Sequence, residues 1–127
     1  MITEDYVSLG VAKLLNVKGF KGEFHKHYWG YEPGKEFLTD GSFNPEYDYP
    51  APTLQVVMKW LREVHNLHIE VYRTACGYLY IISKVPTGSD LYDDGAAYDG
   101  DDENSGQWTT YEKACEDAIK YCLENLI

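Results

Sequence analysis

The fold is decided by residues 50–73, PAPTLQVVMKWLREVHNLHIEVYR, and by residues 78–85, YLYIISKV. In the first segment apolar residues recur with the helical period, and they form a core stripe of Leu54, Val57, Met58, Leu61 and Val64. From Leu67 the period changes to 2, which predicts a strand. Residues 74–77 then suit a short hairpin loop. The two segments therefore predict a helix followed by a β-hairpin.

Two more helices and one more strand flank this unit. Thr3 supplies a cap for a first helix that is expected to end near Lys18, with Gly19 closing it. Residues 23–29 alternate in a way that suits a strand. In the last helix Thr109 begins a Ser/Thr-x-x-Glu capping box. Its apolar stripe is Tyr111, Ala114, Cys115, Ala118, Ile119, Cys122, Leu123 and Leu126.

These elements predict one α+β domain over residues 1–127, a two-layer sandwich in the order α-β-α-β-β-α. We expect a small sheet of at least three strands with the helices mainly on one face. If the first two strands are neighbours, the helix between them makes them parallel, and the hairpin adds an antiparallel strand. The predicted sheet is therefore mixed.

A long connection at residues 30–52 carries four of the five prolines and several aromatic residues. Such a length is unusual in a compact domain, and the aromatic residues Phe37, Phe43, Tyr47 and Tyr49 suggest that it packs on the body. It either covers the exposed face of the sheet or leaves that face open for a partner.

An acidic segment at residues 86–108 holds seven Asp and Glu residues and no Lys or Arg, and is predicted to be a mobile loop. The whole chain has a net charge of −10, and without these seven acidic residues it would be −3, from 14 acidic and 11 basic residues. Nucleic-acid binding, which relies on neutralising phosphates, becomes improbable. Asp99, Asp101 and Glu103 alternate as in a calcium-binding loop, but Asn104 and Thr110 replace the required Gly and Glu.

The composition also predicts the compartment and argues against an enzyme. No apolar run approaches the roughly 20 residues that span a bilayer, and the amino terminus lacks the apolar region of a signal peptide. Cys76, Cys115 and Cys122 are odd in number, which fits reduced thiols in the cytosol. No nucleotide-binding or hydrolase motif is present, and no local motif points to a base positioned for Cys76. We expect a cytoplasmic, non-enzymatic protein without a cofactor.

The candidate binding surface is a tyrosine-bearing sheet face. Alternation places the aliphatic side of both hairpin strands against the helices and leaves the other side outward. The predicted surface residues are Tyr72, Tyr78, Tyr80, His68 and Glu70, with Trp29 of the first strand as a possible addition. Tyrosine combines a large contact area with a polar tip, which is typical of interfaces.

The four histidines are candidates for a metal site. His25 and His27 share one face of the first strand, and His65 and His68 flank the junction between helix and strand. A zinc or nickel site would require these two distant pairs to converge, and their spacing matches no established zinc motif. Packed or surface histidines are the simpler interpretation.

Several segments of the chain resemble a group of small uncharacterised proteins from gut Bacteroides-type bacteria and their phages or prophages. The resemblance lies in Ala51-Pro52-Thr53-Leu54, Lys59-Trp60-Leu61-Arg62-Glu63, His68-Ile69-Glu70-Val71-Tyr72, Thr110-Tyr111-Glu112-Lys113-Ala114 and residues 123–127. It covers roughly two thirds of the chain, mainly residues 50–85 and 109–127. No catalytic residue or ligand is assigned to the group, so the resemblance implies an origin and no activity.

The sequence therefore predicts a phage-type or mobile-element-type protein-binding module that acts through the tyrosine-bearing face, as a homodimer or against a host protein. One alternative is an acidic decoy, in which residues 86–108 present negative charge to a host protein that binds nucleic acid. Another is a protein that binds or sequesters a small nucleotide-like ligand, since tyrosine and histidine suit base stacking.

Overall fold

The computed structural model describes residues 3–30, 36–94 and 108–127. These ranges contain three α-helices, six strands and a short π-helix at the end of the chain. The helices are α1 (Leu9–Val17), α2 (Leu54–Val64) and α3 (Tyr111–Tyr121), and the π-helix is Cys122–Leu126. The strands are β1 (Lys26–Tyr28), β2 (Leu38–Thr39), β3 (Tyr49–Ala51), β4 (Leu67–Arg73), β5 (Tyr78–Lys84) and β6 (Asp90–Asp93). The α+β class is confirmed, and β2, β3 and β6 add to the predicted order.

The strands form two antiparallel sheets, with orders β2-β1-β3 and β4-β5-β6. The prediction of one mixed sheet was therefore wrong. Both edges of β1 are occupied, by β2 on one side and by β3 on the other. The α2 crossover consequently joins strands in different sheets, and no parallel pair arises between them.

The connection at 30–52 contributes strands to the first sheet. Within its described part, β2 and β3 pair with β1, and β3 also packs against α1. Pro50 lies in β3, which is an edge strand and therefore tolerates the missing N–H. The aromatic residues in this part of the chain thus build the layer around β1. Residues 31–35 lie outside the described ranges.

The first helix begins later than the sequence suggested. Ser8 is its N-cap, and its hydroxyl accepts a hydrogen bond from Val11 N–H. The preceding residues are extended, because Val7 N–H donates to Pro52 O and Leu54 N–H donates to Asp5 O. Thr3 is therefore not the cap. The predicted end is confirmed, since α1 stops at Val17 and Gly19 has a positive φ of 78°.

The predicted stripes of α2 and α3 form most of the core with the second sheet. Thr53 caps α2, and Leu54, Val57, Met58 and Leu61 are buried in it as predicted. Val64, at the last position of α2, is 58% exposed, contrary to the prediction. In α3 the cap is Thr110 instead of Thr109. Its inner stripe is confirmed by the burial of Ala114, Cys115, Ala118, Ile119, Cys122 and Leu123.

Part of the acidic segment is regular structure. Residues 90–93 form β6, which pairs with β5 across a bulge near Ile82 and Ser83. Tyr92 of this strand packs against the core. The mobile-loop prediction was wrong for these residues, because the single aromatic side chain anchors a strand that is otherwise mostly polar. Residues 95–107, which include the calcium-like positions Asp99, Asp101 and Glu103, lie outside the described ranges.

Candidate functional site

The register of the β4–β5 hairpin decides which side chains reach the surface. Ile69 lies opposite Ile82, Val71 opposite Tyr80, and Arg73 opposite Tyr78. Directly opposed residues share a face, so odd-numbered residues of β4 accompany even-numbered residues of β5. The loop at residues 74–77 contains an even number of residues, which fixes this relation. The inner face therefore combines the aliphatic side of β4 with the tyrosine side of β5.

Tyr80 lies in the core, where it is 1% exposed. Its hydroxyl donates to Asp117 Oδ2 over 2.7 Å, and burial, followed by this hydrogen bond, raises its pKa far above the ordinary value. Tyr78 is on the same inner face and meets the ring of Tyr111 edge-on at 6.2 Å. The prediction of an outward tyrosine row on β5 was wrong, because it placed the odd-numbered residues of both strands on the inner face.

The outer face of the second sheet retains three of the predicted residues, His68, Glu70 and Tyr72. The register adds Leu79, Ile81 and Ser83 of β5 and Asp93 of β6. Tyr72 and Ile81 are partly exposed, and Glu70 is exposed. Burial raises the pKa of Tyr72, and the carboxylates of Asp93, Asp94 and Glu70 contribute to the rise. We call this surface the outer face: an apolar centre at Tyr72 and Ile81 with acidic groups around it.

Trp29 belongs to the other sheet. It follows β1, is 37% exposed, and packs edge-on against Phe37 with 6.2 Å between ring centroids. Its backbone N–H donates to Phe37 O. Trp29 is thus part of the β2-β1-β3 layer.

The two histidine pairs do not converge. His25 is exposed, His27 is buried in β1, His65 packs edge-on against Trp60 at 4.6 Å, and His68 lies on the outer face. Within residues 3–30, 36–94 and 108–127, no group of three His, Cys, Asp or Glu side chains could hold a metal ion. His25 and His27 lie at the first sheet, whereas His65 ends α2 and His68 lies in the second sheet.

A buried pair of His27 and Asp48 was not predicted from sequence. His27 is 2% exposed and Asp48 is 4% exposed, and His27 Nε2 lies 3.6 Å from Asp48 Oδ2. The carboxylate of Asp48 accepts hydrogen bonds from Gly30 N–H and Asn44 N–H, both at 2.9 Å. Asp48 therefore ties together the two ends of the connection between β1 and β3, which is a structural role.

A second polar cluster lies between β5, β6 and α3. Asp94 is 5% exposed, and its Oδ2 accepts a hydrogen bond from Trp108 Nε1 at 3.0 Å. Burial raises the pKa of Asp94, and Asp117 adds to the rise, while the Trp108 hydrogen bond opposes it. Tyr92 stacks on Tyr121 with 3.9 Å between ring centroids. The cluster joins the end of β6 to α3.

The raised pKa of Asp94 predicts a stabilising substitution. A carboxyl with a raised pKa in the folded state stabilises the fold below its unfolded pKa of about 3.9, and this contribution is lost as the pH rises through the folded pKa. Asp94→Asn keeps an acceptor for Trp108 without the charge. We expect a higher Tm than wild type at pH 7 and no difference near pH 3. A variant less stable than wild type at pH 7 would contradict this account.

A cavity with a volume of about 400 Å³ lies between α1 and α3. Its lining includes Gly10, Val11, Leu14, Trp108, Lys113 and Lys120. Glu116 and Asp117 also line it, and Ser8, Lys113 and Glu116 are shared with a second cavity of about 380 Å³ beside Tyr6 and Tyr28. We call the first cavity the α1–α3 groove. Its size suits a small ligand.

The three cysteines differ in accessibility. Cys76 is exposed in the hairpin loop, whereas Cys115 and Cys122 are fully buried on α3 and the π-helix. Burial raises the pKa of Cys115 to about 11 and that of Cys122 to about 12. All three thiols are free.

This difference predicts the thiol count of the native protein. With Ellman's reagent at pH 8, we expect one thiol to react before denaturation and three after it, because only the thiolate attacks the reagent. Cys76→Ser should reduce the native count to zero. Rapid reaction of a second thiol in native wild type would show that α3 is not packed as described.

No described helix has the length and apolar character needed to cross a membrane.

The Bacteroides-type resemblance stays a prediction. Comparison with protein-family models, curated protein sequences and solved structures finds no match to the chain.

Proposed function

We propose that the protein is a binding module that recognises another protein through the outer face. The observation that carries this proposal is the position of Tyr72 and Ile81, which are partly exposed on a sheet face. In the described chain, α2 and α3 pack instead on the inner face, against Ile69, Tyr80 and Ile82. A rigid sheet that presents an aromatic and an aliphatic side chain is a common protein-binding surface.

The charge of the surface favours a basic partner over a second copy of the chain. Glu70 and Asp93 border Ile81, and Asp90 continues the acidic edge along β6. With a net charge of −10, two copies repel each other, whereas lysine and arginine side chains on a partner are attracted. The proposed partner therefore presents an apolar side chain flanked by basic residues.

We infer a phage or mobile-element origin from the resemblance in residues 50–85 and 109–127 alone. The free thiols of Cys76, Cys115 and Cys122 fit a reducing compartment such as the cytosol. Neither point enters the binding argument, which depends on the outer face.

The proposal can be tested without a known partner by selecting peptides from a random library displayed on phage. Selection against immobilised wild-type protein should enrich peptides that combine Arg or Lys with an aromatic or aliphatic residue. A synthetic peptide of the enriched sequence should lose at least about tenfold in affinity for Ile81→Arg, because the substitution places a cation at the centre of the outer face. Fluorescence anisotropy provides the measurement.

Lys59→Ala on the exposed side of α2 is the matched control, since it also alters one surface residue and leaves the outer face intact. Its affinity for the peptide should equal that of wild type. Enrichment of acidic peptides, or equal binding by wild type and Ile81→Arg, would refute the proposed surface.

A further inference from the structure

We propose that the α1–α3 groove is a binding site for a small aromatic anion, a ring system that carries one acidic group. The groove is separate from the outer face, because it lies between two helices and its lining contains no residue of β4 or β5. The inference therefore does not rest on the protein-binding proposal. It follows from the shape of the groove, from the hydrogen bonds of its charged residues and from the position of Gly10.

The walls of the groove suit a flat apolar group. Its apolar lining consists of Val11 and Leu14 of α1 and of Trp108. The position of Trp108 is fixed twice, by its indole N–H bonded to Asp94 and by backbone hydrogen bonds with Tyr78 in both directions. At about 400 Å³ the cavity is within the range of small-molecule sites, which is roughly 300–1,000 Å³.

The groove is lined by charged residues of both signs, two lysines and two carboxylates. Glu116 Oε1 accepts hydrogen bonds from the N–H and the hydroxyl of Ser8, and Asp117 Oδ2 accepts one from Tyr80. The donors are neutral, so both carboxylates keep their charge, but these bonds hold one oxygen of each against the protein. Lys113 Nζ contacts the neutral hydroxyl of Thr109. Its ammonium group therefore remains available to a ligand.

Lys120 supplies the second cation. Its side chain is 56% exposed, and its ion pair with Glu124 is 3.8 Å long. Exposed pairs of this kind are weak, so an anionic ligand can compete for the ammonium group. Lys113 and Lys120 lie two helical turns apart on the same side of α3, and both line the groove. A ligand with one acidic group can reach either of them from the apolar wall.

Gly10 is unexplained by the packing of the residues that the structure describes. Glycine in a helix is less favourable than alanine, and among the described residues a Cβ at this position would meet only Ser8 Oγ, at 3.9 Å. Gly10 is exposed, and its φ is not in the positive range that favours glycine. What glycine does provide is space, because Gly10 lines the groove and a side chain there would narrow it.

The test uses 2-naphthoate as the anion, 2-naphthamide as its neutral analogue and 2-naphthylmethylammonium as the cation. With wild type, calorimetry should give a Kd below about 1 mM for the naphthoate, as expected for a ligand of this size. The amide and the cation should bind at least about fivefold more weakly. In ¹H–¹⁵N spectra the naphthoate should shift the signals of Gly10, Leu14 and Lys113.

Two sets of variants probe the shape and the charge separately. Gly10→Ala should raise Tm by about 2–4 °C because of helix propensity, and Gly10→Leu should abolish naphthoate binding. The double variant Lys113→Gln/Lys120→Gln should weaken the naphthoate about tenfold and leave the amide unchanged. Lys59→Gln on α2 is the control for loss of one charge outside the groove.

Three outcomes would overturn the inference. The first is the absence of naphthoate binding to wild type at millimolar concentration. The second is equal binding of the naphthoate and the cation, and the third is signal shifts confined to the outer face. The peptide affinity of Ile81→Arg is measured independently, so failure here leaves the protein-binding proposal standing.

Discussion

Replacing Tyr80 with alanine is expected to lower the free energy of unfolding by about 3–5 kcal/mol, whereas Tyr72→Ala should lower it by about 1 kcal/mol. Tyr80 is 1% exposed and lies in the core cluster between β5 and α3, so its removal leaves a cavity. Tyr72 is only partly buried and lies on the outer face. Urea denaturation followed by circular dichroism gives both values.

The comparison isolates the hairpin register, because the two tyrosines are on adjacent strands of the same sheet. Tyr80→Phe serves as a third variant that keeps the ring and removes the hydroxyl bonded to Asp117. Its expected effect is about 1–2 kcal/mol. If Tyr72→Ala destabilised the protein more than Tyr80→Ala, Tyr72 would face the core and Tyr80 the solvent, and the outer face as defined here would not exist.

The second large effect is expected for Asp48→Ala, which should lower the free energy of unfolding by about 2–4 kcal/mol. The substitution removes the acceptor of Gly30 N–H and of Asn44 N–H, and it leaves His27 beside an empty volume. The same denaturation experiment measures it. The first sheet depends on these bonds, since they connect the ends of the segment that supplies β2 and β3.

Asp40→Ala is the matched control, because Asp40 is an exposed aspartate in the same connection. We expect it to change stability by less than about 0.5 kcal/mol. Equal effects of the two substitutions would mean that Asp48 is not buried, and the described packing of the connection on β1 would then be incorrect.

The helices were predictable because their information is local. A period of 3.6 in α2 and α3 identified the buried residues, with Val64 as an exposed exception, and a glycine with positive φ closed α1 at the predicted place. The start of α1 was not predictable from the sequence, because Thr3 and Ser8 are both acceptable caps. The backbone bonds of Val7 and Leu54 with the opposite segment decide between them, and these are tertiary contacts.

Strand faces were harder to predict, because alternation identifies two sides of a strand without saying which sides match. On β5 both sides are apolar, Leu79 and Ile81 on one and Tyr80 and Ile82 on the other. Residue type favoured burial of the aliphatic side, but the even length of the loop at 74–77 brings the tyrosine side into register with Ile69 and Val71. Counting the loop residues could have corrected this error.

The candidate sites also divide into residues that local sequence defines and sites that depend on tertiary packing. His68, Glu70 and Tyr72 of β4 were found from sequence, because one strand suffices to define them. The α1–α3 groove could not be predicted, since Gly10 and Lys113 lie about a hundred positions apart and meet only through packing. Asp48 was likewise hidden, because its role depends on backbone N–H groups that are invisible in the sequence.

The central claim, that the outer face binds a protein partner, is tested most directly by mapping a bound peptide. A basic peptide selected against the wild type should be titrated into ¹⁵N-labelled protein and followed in ¹H–¹⁵N spectra. We predict the largest shifts at His68, Glu70, Tyr72 and Ile81, which share the face by register. Shifts centred on α1 and α3, or no shifts at saturating peptide, would contradict the claim.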